Sequence, residues 1–236
     1  MEQDSAVRAP RKPTGKEVLG IKKIKVLIAD DHVMVRQGFM LLLNAQPDIE
    51  VVGEAADGNE MVELTENLHP DVVLADISMP NLNGIEATRL IHQRNPEMPV
   101  VMITIHTSSS YVVRALRSGA RGYVVKNDDF QHVIQAIKAV ILGQRYLSSS
   151  VSEQIIDAVV SGTSQEFNMD DRISVREREI LQLIAEGNSN SQIARKLVIS
   201  ARTVETHRTN IMRKLELTSQ IDILRYAIQH GLAQLE

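Results

Sequence analysis

The sequence contains no cysteine and no tryptophan, and its aromatic residues are only three Phe and four Tyr in 236 positions. Without cysteine there is no disulfide scaffold, thiolate nucleophile, iron–sulfur cluster or Cys-based zinc site. So few aromatics exclude ligand pockets or nucleic-acid platforms built on stacked rings. No apolar run approaches the roughly 18–20 residues that span a bilayer. The first 20 residues carry basic side chains but lack the apolar stretch of a signal peptide. A soluble cytoplasmic protein with no membrane association is expected.

A large charge excess is also missing, since 26 Lys and Arg face 30 Asp and Glu, a net of −4. That small total hides an asymmetry. Residues 21–147 carry 12 basic against 15 acidic side chains, whereas residues 173–236 carry 9 against 7. An acidic first half and a mildly basic last third point to two jobs. With 43% hydrophobic residues the chain can build two modest cores.

Residues 1–22, with two Pro and two Gly, read as a flexible tail. A rhythm then begins. Apolar runs at Ile24–Ala29, Ile49–Val52, Val72–Ala75, Val100–Ile103 and Tyr123–Val125 alternate with five segments of helical length and period. Five short strands alternating with helices form a doubly wound α/β parallel sheet over residues 23–146. Residues 147–172 are polar and acidic and read as a linker, with a short helix at Ile155–Val160. From residue 173 to 236 the strand pattern gives way to four helices, Ser174–Glu186, Ser191–Leu197, Ala201–Leu215 and Ser219–His230, the first stopped by Gly187 and the last by Gly231.

In an open parallel sheet, chemistry gathers at the carboxyl ends of the strands. Here the first strand ends in Asp30–Asp31, the third in Asp76, the fourth in Thr104 and the fifth in Lys126. Any one of these alone reads as a solvated loop residue. Together they predict one convergent site. Three adjacent carboxylates repel unless a proton or a cation neutralises them. An all-oxygen donor set favours Mg²⁺. Lys126 balances charge and the Thr104 hydroxyl can donate to a phosphoryl oxygen.

The segments ADDH at 29–32, DVVLADISMPNLNG at 71–84, VVMIT at 100–104 and GARGYVVK at 119–126 resemble the receiver domain of two-component response regulators. The resemblance implies a flavodoxin-like fold and a phosphoacceptor aspartate, Asp76, charged by a partner histidine kinase. It implies Mg²⁺ at Asp31, Asp76 and the backbone carbonyl of Ser78, with Asp30 nearby. Thr104 and Tyr123 map to the family's switch pair and Lys126 to its lysine. One position departs from the pattern: Ile105 stands where a small residue is usual, and either narrows access to Asp76 or merely packs. An aspartyl-phosphate hydrolase of the haloacid dehalogenase type needs a second Asp two residues after the first, and Ser78 occupies that position.

In the last third, SNSQIARKL, VIS and ARTVETHRTNIMRKL read as a helix, a tight turn and a second helix capped by Ser200. At about 100° per residue, Val204, Ile211 and Leu215 share a core face. Arg202, Thr206, Thr209 and Arg213 lie opposite, with Glu205 and Asn210 beside them and Thr203 in the first turn. Such a face is either solvated or reads DNA. Lys214, on the flank, is expected to touch phosphate. Residues 173–236 closely resemble the LuxR-type helix-turn-helix domain, through ISVREREILQLIAEG, ISARTVETH and the RKL ending. With the receiver, the chain resembles the response regulators of the NarL/FixJ type. That resemblance implies a transcriptional regulator rather than an enzyme, in which phosphorylation frees the helical domain to bind double-stranded DNA as a homodimer on inverted repeats. RNA polymerase is a further partner to consider. The last helix has two apolar stripes, Ile221/Leu224/Ile228 and Ile223/Tyr226/Ala227. One fills the core, and Ile223, Tyr226 and Ala227 are expected at the dimer contact. The alternative is a regulator whose receiver works as a phosphorylation-independent interaction module.

Overall fold

The computed structural model describes residues 22–160, 172–229 and 232. All of the expected 1–22 tail but Lys22, the linker centre at 161–171 and the helix stop at Gly231 lie outside the described residues. The first domain is a parallel sheet of β1 (Ile24–Ala29), β2 (Ile49–Ala55), β3 (Val72–Ala75), β4 (Val100–Thr104), β5 (Gly122–Val125) and β6 (Tyr146–Leu147). Their order is β2-β1-β3-β4-β5-β6, with every neighbouring pair parallel. The sequence pattern predicts five strands, and the structure adds β6. Two residues are too short to register as an apolar run, yet Gly122 and Tyr123 pair with them.

The apolar runs form strands because both faces of the sheet are covered. On one face Leu27, Val73, Met102 and Tyr123 pack with α2 (Gly58–Leu68), α3 (Gly84–Arg94) and α4 (Ser109–Arg117). On the other, Val26, Leu74, Val101 and Val124 pack with α1 (Val33–Asn44) and α5 (Phe130–Ile141). The strand order reverses between β1 and β3, which opens a crevice at their carboxyl ends. A β-carbon on Gly84 would overlap the carbonyl oxygen of Asp76, so only glycine lets α3 start this close to the β3 end.

α6 (Ser149–Val160) is not free linker. Val151 is fully buried in the sheet domain's core and Ile155 packs against it. β6 and these two residues of α6 thus add to the packing of the sheet domain beyond residue 146.

The second domain packs α7 (Val175–Ala185), α8 (Asn190–Lys196), α9 (Ala201–Leu215) and α10 (Gln220–Gln229). Ser174 and Ser189 open α7 and α8 with reciprocal capping boxes through Glu177 and Gln192, and Ser200 accepts from the Thr203 N–H to start α9. The core holds Ile180, Leu181, Ile193, Val204, Ile211 and Leu215. In the turn between α8 and α9, Val198 has a left-handed backbone (φ 53°) and is 90% exposed. A β-branched residue is strained there.

The structure corrects the expectation for α10. Ile223 and Ala227 are fully buried in the domain's own core, with Tyr226 packed against it. Ile221 is exposed, and Leu224 and Ile228 are half-buried. Packing against α7 decides which stripe turns inward, and the sequence of α10 alone does not contain that choice.

Among the described residues, hydrogen bonds and an ion pair join the domains. Gln182 of α7 bonds to Met79 and Asn83, Lys196 of α8 donates to the Asn81 side chain (2.9 Å), and Arg178 faces the buried Glu86 of α3 (3.3 Å). The outward face of α9 is not covered by these contacts: Arg202, Thr203, Glu205, Thr206, Thr209 and Arg213 are all exposed.

Candidate functional site

Each acidic side chain arrives at the sheet edge because its strand stops there. β1 ends at Ala29, placing Asp30 and Asp31 at the crevice; β3 ends at Ala75, placing Asp76 beside them. Asp30 and Asp76 are buried, Asp31 half-buried. Ligand atoms of Asp30, Asp31, His32 and Asp76 all lie within 4.8 Å of one another. Lys126, just past β5, spans two of them, with Nζ at 2.7 Å from Asp30 and 2.8 Å from Asp76.

The electrostatics follow from that placement. Burial pushes the Asp76 carboxyl above the ordinary carboxylate range, against the pull of Lys126. Burial alone would lower Lys126, but the carboxylates of Asp76 and Asp30 outweigh it and hold the ammonium above its usual value. Asp76 Oδ1 also accepts from the Ile77 N–H at 2.7 Å, which fixes the carboxylate's orientation. The other oxygen is aimed at the lysine. Hard oxygen donors crowded around one cation suit Mg²⁺, with Asp30, Asp31 and Asp76 as the available carboxylates.

Thr104 is fully buried at the end of β4, where its hydroxyl accepts from the His106 N–H at 3.3 Å. Tyr123 is also fully buried, and its hydroxyl donates to the His106 carbonyl at 2.8 Å. Thr104 and Tyr123 are thus joined through one residue that the sequence reading did not single out. His106 further bonds to the Ser78 hydroxyl (2.9 Å) and stacks on Tyr111, with ring centroids 4.1 Å apart. Burial, with Lys126 nearby, lowers the His106 pKa. His32 is another missed neighbour, 2.7 Å from Asp31. Its place directly after the Asp pair was the available signal. Ile105 is 60% exposed, which sets aside its reading as a packed residue.

On α9, Val204, Ile211 and Leu215 are buried, and the polar residues expected opposite are exposed. Lys214 is different. Its Nζ donates to the Glu177 carboxylate at 2.8 Å, because the flank of α9 lies against the start of α7. In this structure the Lys214 ammonium is therefore paired with a carboxylate of its own domain. Burial acts to raise the Glu177 pKa, yet the Lys214 and Ser174 contacts outweigh it and hold the carboxyl below the ordinary range.

Residues 26–138 match the family described as response regulator receiver domain, and residues 171–227 match the bacterial regulatory proteins of the luxR family. The oxygen regulatory protein NreC of Staphylococcus carnosus (strain TM300) is 39% identical over 214 residues, covering 89% of this chain and 99% of that one. The chain belongs to the response regulators of the NarL/FixJ type. Among solved structures, a LuxR-family two-component response regulator from Aurantimonas sp. SI85-9A1 is 35% identical with a TM-score of 0.57, covering 59% of this chain and 99% of that one. RcsB from Salmonella enterica serovar Typhimurium, bound to promoter rprA with the phosphomimetic BeF₃⁻, is 27% identical with a TM-score of 0.57 over 87% of this chain and 98% of its own. This response regulator is therefore a two-component transcriptional regulator with a receiver and a LuxR-type DNA-binding domain. Among the described residues, no helix is long and apolar enough to cross a membrane.

Proposed function

We propose that this response regulator takes a phosphoryl group from a histidine kinase on Asp76 and answers by binding DNA as a dimer through α9. The observation that carries the reading is Lys126 bridging buried Asp30 and Asp76 at the β1/β3 crevice. Asp76 is the acceptor because one of its oxygens is pinned by a backbone N–H while the other faces the cation. Mg²⁺, held by Asp31, Asp76 and the Ser78 carbonyl with Asp30 nearby, would supply the positive charge that an incoming phosphoryl group needs. Lys126 then neutralises a phosphoryl oxygen, and the Thr104 hydroxyl, now occupied by His106, is the group positioned to change partner. Movement of Thr104 pulls on His106 and so on Tyr123.

The exposed face of α9 reads the major groove, with Arg202, Thr203, Glu205, Thr206, Thr209 and Arg213 as contacts. Two copies on an inverted repeat meet half-sites about 34 Å apart. Ile221, Leu224 and Ile228 on the outer side of α10, rather than the buried Ile223 and Ala227, are the apolar stripe available for the dimer. In the closed arrangement each helical domain is bound to its own receiver, away from a partner. RcsB bound to promoter rprA in the presence of the phosphomimetic BeF₃⁻ supports the pairing of phosphorylation with DNA binding.

The test is labelling by acetyl phosphate, followed by intact mass, with DNA affinity read at one fixed salt concentration. The wild-type chain gains one phosphoryl group only with Mg²⁺ present and then binds an inverted repeat more tightly. The Asp76→Asn chain does neither. Persistent labelling of Asp76→Asn overturns the acceptor assignment, and equal DNA affinity with and without phosphoryl overturns the gating.

A further inference from the structure

Gln182 belongs to the DNA-binding domain, yet it is 2% exposed and its amide is spent on the receiver. Its Oε1 accepts from both the backbone N–H (3.1 Å) and the side-chain Nδ2 (2.9 Å) of Asn83. Its Nε2 donates to the Met79 carbonyl at 3.0 Å and to Glu186 of its own helix at 2.9 Å. Two donors meet the oxygen and two acceptors meet the nitrogen, so only one orientation of the amide satisfies the site.

The two receiver residues bracket the loop that leaves β3. Asp76, the proposed phosphoacceptor, and Ser78, whose carbonyl is the proposed metal ligand, lie immediately before Met79; Asn83 caps α3 at the other end through Glu86. The loop is packed closely at both ends: a Cβ on Gly84 would overlap the Asp76 carbonyl, and one on Gly58 of α2 would overlap the Leu82 carbonyl. From the helical domain it is held by Gln182 at Met79 and Asn83 and by Lys196 at Asn81.

We infer that Gln182 is a positioning residue for the receiver's own chemistry: it holds the 79–83 loop in its resting shape and so sets how readily the acceptor site takes the Mg²⁺ that phosphorylation of Asp76 needs. The inference rests on the gating proposed above for its sign. If phosphorylation releases the helical domain, reciprocity requires that removing the Gln182 tie favours the phosphorylated, metal-bound loop. The outer face of α9 is open in the closed arrangement. The tie therefore regulates at the acceptor loop, not by covering the reading helix.

The experiment uses the full chain with Gln182→Met, which keeps the length of the side chain, and Gln182→Ala as a second variant. Thermal melting of each confirms that both domains remain folded. Initial rates of labelling by acetyl phosphate are measured across a Mg²⁺ titration. Both variants are expected to reach half-maximal rate at a Mg²⁺ concentration lower by about fivefold or more, with the rate at saturating Mg²⁺ unchanged. A merely structural role would lower the plateau and leave the half-saturation in place. An unchanged or raised half-saturation overturns the inference, including when unphosphorylated DNA binding tightens, a result that leaves gating intact. Gating itself is read separately, from wild-type DNA affinity with and without phosphoryl.

Discussion

The receiver crevice and the outer face of α9 use the same currency, charged and hydroxyl side chains, in opposite settings. In the crevice, Asp30, Asp76 and Lys126 are largely withdrawn from water and paired with one another, and buried Thr104 is held by the His106 N–H. On α9, Arg202, Glu205 and Arg213 are exposed, while the Thr206 and Thr209 hydroxyls only bond back to their own helix at 3.0 Å. Burial makes each charge depend on its neighbours, so the crevice can be switched by one added charge. Exposure leaves the α9 residues independent of the fold and free to be spent on a partner. Regulation sits where charges are coupled, recognition where they are not.

The comparison is tested hardest by removing one cation from each region. Lys126→Met leaves two buried carboxylates without their bridge and should cost about 3–5 kcal/mol of receiver stability in urea without Mg²⁺. Asp76 already has a raised pKa in the folded state. Its proton is bound more tightly folded than unfolded, so stability is lost as pH rises through the folded pKa and recovered in acid. The Lys126→Met defect should therefore shrink as pH falls. Arg213→Ala should change stability by less than about 0.5 kcal/mol while weakening DNA binding. A costly Arg213→Ala or a harmless Lys126→Met breaks the contrast.

α10 supplies a second pair. Ile223→Asp puts a charge in the helical core and should unfold that domain, a loss above about 3 kcal/mol. Ile221→Asp, one turn face away, should leave the melt unchanged and weaken only dimeric binding to an inverted repeat, seen as loss of the second bound copy in sedimentation.

A smaller effect sharpens the recognition side. Glu205→Ala should alter base preference at one position of each half-site by about 1–3 kcal/mol, read by randomised-site selection. A uniform loss across all sequences would place Glu205 outside the groove.

Smallest of all is Lys214→Ala, which removes the Glu177 ion pair and should cost at most about 1 kcal/mol. Because Glu177 is held below the ordinary carboxylate range, its contribution is present above the unfolded pKa and lost as pH falls through the folded one. The variant's stability should accordingly converge with wild type in acid.

The crevice was legible because strand ends are legible: four apolar runs each deliver a reactive residue at the same edge. The outward face of α9 followed from helical period alone. What the sequence hid was every decision made by a distant surface. Gln182 looks like a solvated position on an amphipathic helix until its partners, about 100 positions away, are in place. Both stripes of α10 are apolar, and it is the less aliphatic one, with Ile223 and Ala227, that is buried where α10 packs against α7. Lys214 looks unpaired until Glu177, on another helix, is found beside it. His106 links Thr104 to Tyr123 through backbone atoms, which leave no trace in residue type.

The short strand β6 has a consequence for taking the molecule apart. It pairs Tyr146 and Leu147 with Gly122 and Tyr123, and α6 then packs Val151 into the receiver core. A receiver cut off after residue 145 would present the bare backbone of β5 to solvent and uncover that core. An unpaired sheet edge beside exposed apolar surface is a template for strand addition from another chain. Such a fragment is expected to self-associate through an artificial edge, whereas a fragment ending at residue 160 keeps the edge capped. Dimerisation measured on the shorter piece would report the cut and not the signal.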